Sequence, residues 1–223
     1  MTNPVTLVIG AGPGLGAAVA RRYARAGYDL ALVSLDPGQV ETLGRSLEAE
    51  GVTAGWAAVD VTDAEAFSRA VDRLGGHSGR IDVLHFNPSA FRQKTPLTLT
   101  PDELLEDVRL GVGALLTAVQ AARPYMSSGA RVTATGSMAA DEPWNEAASL
   151  GVQKAGLRNL VRSIDTTLAP HGIRAATVTV NGTLAPGTDF APDLVAEALY
   201  QVATQPEESW RVEVPYDGPR VAP

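Results

Sequence analysis

The sequence predicts an α/β fold: a doubly wound parallel sheet of about seven strands with helices on both faces. Three observations predict it. Short β-branched runs alternate with longer stretches of helical period, the pattern of strand–helix units feeding a parallel sheet. Most of these runs are apolar along both faces, as strands covered from each side must be. The 223 residues, 45% of them hydrophobic, can supply one large core. Residues 1–223 therefore read as one domain, with no internal repeat, low-complexity tract or linker.

The first strand is "VTLVI" from Val5, and it runs into a glycine-rich segment and the helical stretch "AAVARRYARA", which Gly27 stops. The next strands are "DLALVS" from Asp29 and "TAGWAAV" from Thr53. Thr62-Asp63-Ala64-Glu65 reads as a capping box opening the helix that precedes "IDVLHFN" from Ile81. Thr100-Pro101-Asp102-Glu103 reads as a second box, with Pro101 at the favoured first helical position. The last strands are "ARVTATG" from Ala130, "IRAATVTV" from Ile173 and "WRVEVPY" from Trp210; six helices fit between the seven strands. Asn181 to Pro192, rich in Pro and Gly, is read as the longest irregular segment, and near the C-terminal edge of a sheet such segments form substrate lids.

Composition excludes several kinds of function. The formal charge is -7, and no basic stripe is present to neutralise phosphates, so no nucleic-acid partner is expected. With no Cys, and with His77, His85 and His171 lacking ligand spacing, no metal site is expected. The N-terminus lacks a basic region, and no apolar run approaches the ~20 residues a membrane span needs. A cytoplasmic protein acting on a small-molecule substrate, with no membrane association, is the expectation.

"GAGPGLGAAVARRY" follows the first strand directly. Gly10, Gly14 and Gly16 allow a tight turn, close approach to a pyrophosphate and close packing of the next helix on the sheet, the arrangement of a Rossmann dinucleotide site. The flanking strand and amphipathic helix supply the context this pattern requires. Asp36 lies twenty residues beyond Gly16, at the end of the second strand, where a carboxylate can accept hydrogen bonds from an adenosine ribose. It favours NAD over NADP, because a 2′-phosphate would meet a like charge. Opening the turn "DPGQ" is the structural alternative for the same residue.

From Val5 to about Thr183 these residues resemble the short-chain dehydrogenase/reductase family. "GAGPGLG" is similar to its glycine turn. Asp60 and Val61 in "DVTD" resemble the segment that holds the adenine, and Asn87 is what remains of its Asn-Asn-Ala-Gly motif. "GIRAATVTVNG" is similar to the segment leading to the nicotinamide, which brings in Thr183, although its usual Pro-Gly is Val180-Asn181 here. The resemblance implies NAD or NADP as cofactor. It also implies that Ser137 hydrogen-bonds the substrate carbonyl and that Lys154 contacts the nicotinamide ribose while lowering the pKa of a tyrosine four residues earlier. That position is Leu150, and its spacing of thirteen from Ser137 is the one the family shows. A fourth family residue, an Asn that kinks the long helix after Thr100 and holds a relay water, falls at Gly111.

Two members of the proton pathway are thus absent while hydride positioning is retained. A positioned general acid contributes ~10²–10⁴-fold, so its loss slows carbonyl reduction without forbidding it. Three readings follow: an atypical NAD(P)-dependent oxidoreductase with a non-standard proton source, a non-redox enzyme using the same cleft, and a non-catalytic cofactor-binding or regulatory protein. The other tyrosines, Tyr23, Tyr28, Tyr125, Tyr200 and Tyr216, read as structural, and His85 as a core histidine. Asp141, Glu142 and Glu146 are minor acid candidates. Trp144, Phe91 and Phe190 belong to segments expected around the cleft, where they either line it or cover the sheet edge. The resemblance also implies a homodimer or homotetramer, built on the helices of Gly111 and Lys154.

Overall fold

The structure, a computed structural model, describes residues 3–219. Seven parallel strands form one sheet in the order β3-β2-β1-β4-β5-β6-β7. The strands are β1 (Val5–Ile9), β2 (Asp29–Ser34), β3 (Ala54–Ala58), β4 (Val83–Phe86), β5 (Arg131–Ser137), β6 (Arg174–Val180) and β7 (Glu213–Tyr216). The order reverses between β1 and β4, so the chain leaves adjacent strand ends in opposite directions and opens a crevice there.

The helices are α1 (Leu15–Arg25), α2 (Pro37–Ala49), α3 (Ala64–Ser78), α4 (Pro101–Val108), α5 (Ala114–Ala122), α6 (Ala148–Leu168) and α7 (Pro192–Ala203). A π-helical turn, Arg109–Gly113, joins α4 to α5, so the six predicted helices are present with one interrupted. Side chains of alternating strand residues feed two apolar layers. Leu7, Ile9, Leu84 and Phe86 pack under α3, α5 and α6, while Val8, Leu32, Val178 and Val180 pack under α1, α2 and α7.

Three local expectations are corrected. The α3 cap is Asp63, whose carboxylate accepts from the Ala66 amide at 3.0 Å; Thr62 is spent on Asp60, which accepts from both its amide and its hydroxyl. The longest irregular segment is the β4–α4 connection, Asn87 to Thr100, and not the β6–α7 connection. The strands predicted at Thr53, Ile81 and Trp210 are shorter, with five, four and four residues. The Thr100 capping box is formed as predicted, with reciprocal bonds to Glu103 of 3.2 and 3.0 Å.

Candidate active site

The strand ends at the crevice surround a cleft of about 1300 Å³. Gly10, Gly14, Asp60, Val61, Asn87, Ser137, Lys154 and Thr183 all line it. At its β1 end, Gly14 is the N-cap of α1 at φ 90, a conformation L side chains avoid, and it brings no side-chain cap and no steric neighbour within 4 Å. Gly16 lies behind this turn: a Cβ there would stand 2.0 Å from the Gly10 carbonyl oxygen, so only glycine lets α1 sit this close. The first turn of α1 therefore faces the cleft with its amides unblocked by side chains, a cradle suited to a pyrophosphate.

Asp36 has a structural role that competes with the ribose reading. It is the N-cap of α2, its Oδ1 accepting from the Gln39 amide at 2.9 Å. It is exposed beside Ser34 and Leu35, which do line the cleft. Asp60 holds its own loop through Thr62 and remains exposed.

At the other end, Ser137 closes β5. Its Oγ accepts from the Ala139 amide at 3.2 Å, which fixes the oxygen and leaves the hydroxyl proton to donate. Lys154, on α6, is buried and its Nζ donates to the Thr135 carbonyl at 2.8 Å. Burial pulls its pKa down from the ordinary lysine value to about 8. Leu150, one turn earlier on α6, also lines the cleft and presents only carbon.

Hydrogen bonds tie the two ends together. The Thr135 hydroxyl donates to Asn87 Oδ1 at 2.9 Å, and Asn87 Nδ2 donates to the Gly10 carbonyl at 3.4 Å. His85 is fully buried, with Nδ1 3.0 Å from the Thr133 hydroxyl; burial, then the Lys154 charge, lower its pKa to about 3. It is a neutral core histidine that braces β4 on β5.

Among the described residues, the titratable side chains lining the cleft are Asp60, Glu142 and Lys154. Asp141 is turned away into an ion pair with Arg158, whose hydrogen bonds hold its carboxyl below the ordinary range, and Glu146 is exposed outside the cleft lining. None of the five tyrosines lines the cleft. Tyr23, for example, is enclosed between Tyr28 and Tyr200. Phe91 and Trp144 lie 5.6 Å apart, centroid to centroid, on the cleft wall. Phe190 does not share that role: it packs over Gly182 and against Tyr216, anchoring the β6–α7 connection, whose Thr183, Leu184 and Pro186 reach the cleft.

Sequence reasoning missed a second group of polar residues behind the wall. Asp107 is buried and receives two hydrogen bonds from Arg92, at 3.1 and 3.0 Å, and one from Ser149 at 2.6 Å. Burial pushes its carboxyl up, but these donors outweigh that and hold it below the ordinary range. Gln153, also buried, bonds both the amide and the carbonyl of Ala90. The available signal was a set of polar residues, Ser149 and Gln153, spaced by four on the face of α6 that also carries apolar core residues.

The sequence matches the short chain dehydrogenase family model over residues 4–194. This chain belongs to the short-chain dehydrogenase family. Among the relatives of this dehydrogenase-family chain is cis-4-hydroxycyclohexanecarboxylate dehydrogenase of Sinomonas cyclohexanicum, 32% identical over 178 residues, which are 78% of this chain and 71% of the relative. Another is 2,3-dihydro-2,3-dihydroxybenzoate dehydrogenase of Bacillus subtilis, 29% identical over 182 residues, 80% of this chain and 69% of the relative. Among solved structures, a metagenomic short-chain oxidoreductase in complex with NADP is 26% identical with a TM-score of 0.86, covering 96% of both chains. A short-chain dehydrogenase from Burkholderia cenocepacia J2315 in complex with NADP is 27% identical with a TM-score of 0.86, again over 96% of both chains.

Proposed function

We propose that this chain is an NAD(P)-dependent oxidoreductase in which no phenol supplies the proton. The observation that carries the reading is the continuity of one cleft from the open glycine cradle at Gly14 to Ser137, Leu150 and Lys154. Gly14 and the α1 amides would hold the pyrophosphate, Asp60 and Val61 the adenine end, and Asn87, Lys154 and Thr183 the nicotinamide end. When bound, the nicotinamide gives or takes a hydride at the substrate carbon.

The residues present fix what else is available. Ser137 donates its hydroxyl proton as a hydrogen bond to a substrate oxygen. Lys154 supplies charge at the ribose and is, among the described residues, the one buried titratable group on the cleft wall. Leu150 supplies neither proton nor hydrogen bond. Substrates that need no proton in the hydride step suit this cleft best: an iminium carbon that accepts hydride leaves a neutral amine, its former C=N electron pair resting on nitrogen. The walls contributed by Phe91, Met138, Trp144, Leu150 and Leu184 favour a compact apolar substrate body.

On cofactor choice, Asp36 supports NAD, since a carboxylate beside Ser34 and Leu35 would repel a 2′-phosphate. Titration with NADH and NADPH tests this, and tighter NADPH binding would reject the Asp36 assignment. Cyclic imines and ketones assayed side by side test the reaction. We expect imine turnover in the natural chain, with ketone reduction raised ~10²–10⁴-fold in Leu150→Tyr. Absence of binding to either nucleotide would end the reading.

A further inference from the structure

We infer that Gln153 is the positioning residue that does, from α6, the work a side chain at position 111 cannot do in this protein: it locks the segment after β4 to the turn of α6 that carries Leu150 and Lys154. The inference rests on the cleft being the nucleotide site, and it deepens that reading.

Gln153 is 1% exposed, and all of its amide is used. Its Oε1 accepts from the Ala90 amide at 3.0 Å, and its Nε2 donates to the Ala90 carbonyl at 3.2 Å and to the Ser149 carbonyl at 3.3 Å. A primary amide thus pairs with one residue's backbone on both sides, as a neighbouring strand would. Asn87, Pro88, Ser89 and Phe91 around that residue all line the cleft, so fixing Ala90 fixes the floor of its nicotinamide half. Lys154 is the next residue on α6.

The space Gln153 fills belongs to the interrupted helix. A Cβ built on Gly111 would stand 2.5 Å from Gln153 Oε1 and 3.1 Å from its Cγ. Real Cβ atoms do not approach so closely. A side chain at position 111 would therefore push the Gln153 amide out of its present pairing with Ala90, and here the π turn at Arg109–Gly113 interrupts the helix without one. The glycine at 111 and the glutamine at 153 form one unit, split between two helices.

The test compares Gln153→Ala, Gln153→Met, Gly111→Asn and the double variant Gly111→Asn/Gln153→Ala. NADH, NADPH and ADP-ribose are titrated against each, and exchange of the Ala90 amide is followed by NMR. Gln153→Ala should weaken the better-bound dinucleotide about tenfold, the loss of ~1.4 kcal/mol, while ADP-ribose, which lacks the nicotinamide, changes less than twofold. Ala90 should lose exchange protection. Gln153→Met fills the volume but cannot pair, so it should behave like Gln153→Ala. Gly111→Asn alone should be the worst of the set, and the double variant should recover most of the dinucleotide affinity and Ala90 protection. Equal losses for ADP-ribose and dinucleotide, full retention by Gln153→Met, or a double variant no better than Gln153→Ala would each overturn the inference. If the natural chain binds neither dinucleotide, the functional reading fails by itself; Ala90 protection across the four variants still decides whether Gln153 holds the segment.

Discussion

Lys154 carries an ammonium into the interior with a carbonyl as its partner and no carboxylate, and the sign of the consequence can be worked out. Below about pH 8 the lysine is protonated in both folded and unfolded chains, so the folded state bears the whole cost of burying the charge. Between about 8 and the ordinary lysine value near 10.4, the folded chain has lost the proton and the unfolded chain retains it, so stability rises with pH. Lys154→Met should therefore be more stable than the natural chain at pH 7, by on the order of 1 to 3 kcal/mol after the lost bond to Thr135 is set against the removed charge. That advantage should shrink towards pH 10. Urea midpoints at the two pH values check this, and an offset independent of pH would contradict it. The residues of the site differed in how far they could be read. Ser137, Leu150 and Lys154 could be read only through the resemblance to the family, whose motif spacing they match, and all three line the cleft. Gln153 did not, since its partner is a backbone group sixty-three residues away and backbone atoms leave no mark in a sequence. Asp36 was legible twice over, as a ribose acceptor and as a turn opener, and its bond to Gln39 adds weight to the second role without removing the first.

At the scale of elements, the long connection Asn87 to Thr100 is held by a network that composition does not reveal. Arg92 reaches Asp107 with two bonds and also pairs with Glu103 and Glu106, while Lys94 pairs with Glu103, so an irregular segment is clamped along α4. Removing Arg92 leaves the Asp107 carboxylate buried with only Ser149 as donor. Arg92→Ala should lower the melting temperature, and Arg92→Lys should restore little, since an ammonium cannot reproduce the two-pronged geometry. Because Asp107 is held below its ordinary range, this contribution is present above about pH 4 and fades as pH falls through the folded value, where the carboxylate is finally protonated. Thermal melts of both variants at neutral and acid pH check the effect; a deficit unchanged at low pH would contradict it. The regular elements themselves were legible because strand and helix periodicity is local. The segment just described was not, because its order comes from ion pairs between loop and helix, and the Thr62 capping box was misplaced because Asp60, two residues earlier, competes for the same hydroxyl.

For the molecule as a whole, the packing leaves apolar side chains exposed on several helices. Leu105 on α4, Leu116 on α5 and Val152 on α6 are 60%, 44% and 49% exposed. Apolar residues so placed suit association through these helices, the homodimer or homotetramer that the resemblance implied. Sedimentation of the natural chain should show a species larger than one chain, and Leu116→Arg with Val152→Arg should shift it towards monomer without loss of helical signal. A natural chain that sediments as a monomer at all concentrations would remove the proposal.

The two rims of the sheet face a related hazard, and β7 meets it with a single residue. Thr177 on β6 and Asn181 just beyond it donate to Val212 and Tyr216, so the intervening odd-numbered positions, Glu213 and Pro215, turn their nitrogens outward. An imino nitrogen has no hydrogen to offer a newcomer. A foreign strand laid along this border would find its ladder broken at Pro215, so ribbon-like polymerisation from this flank is discouraged even when the protein is crowded or partly melted.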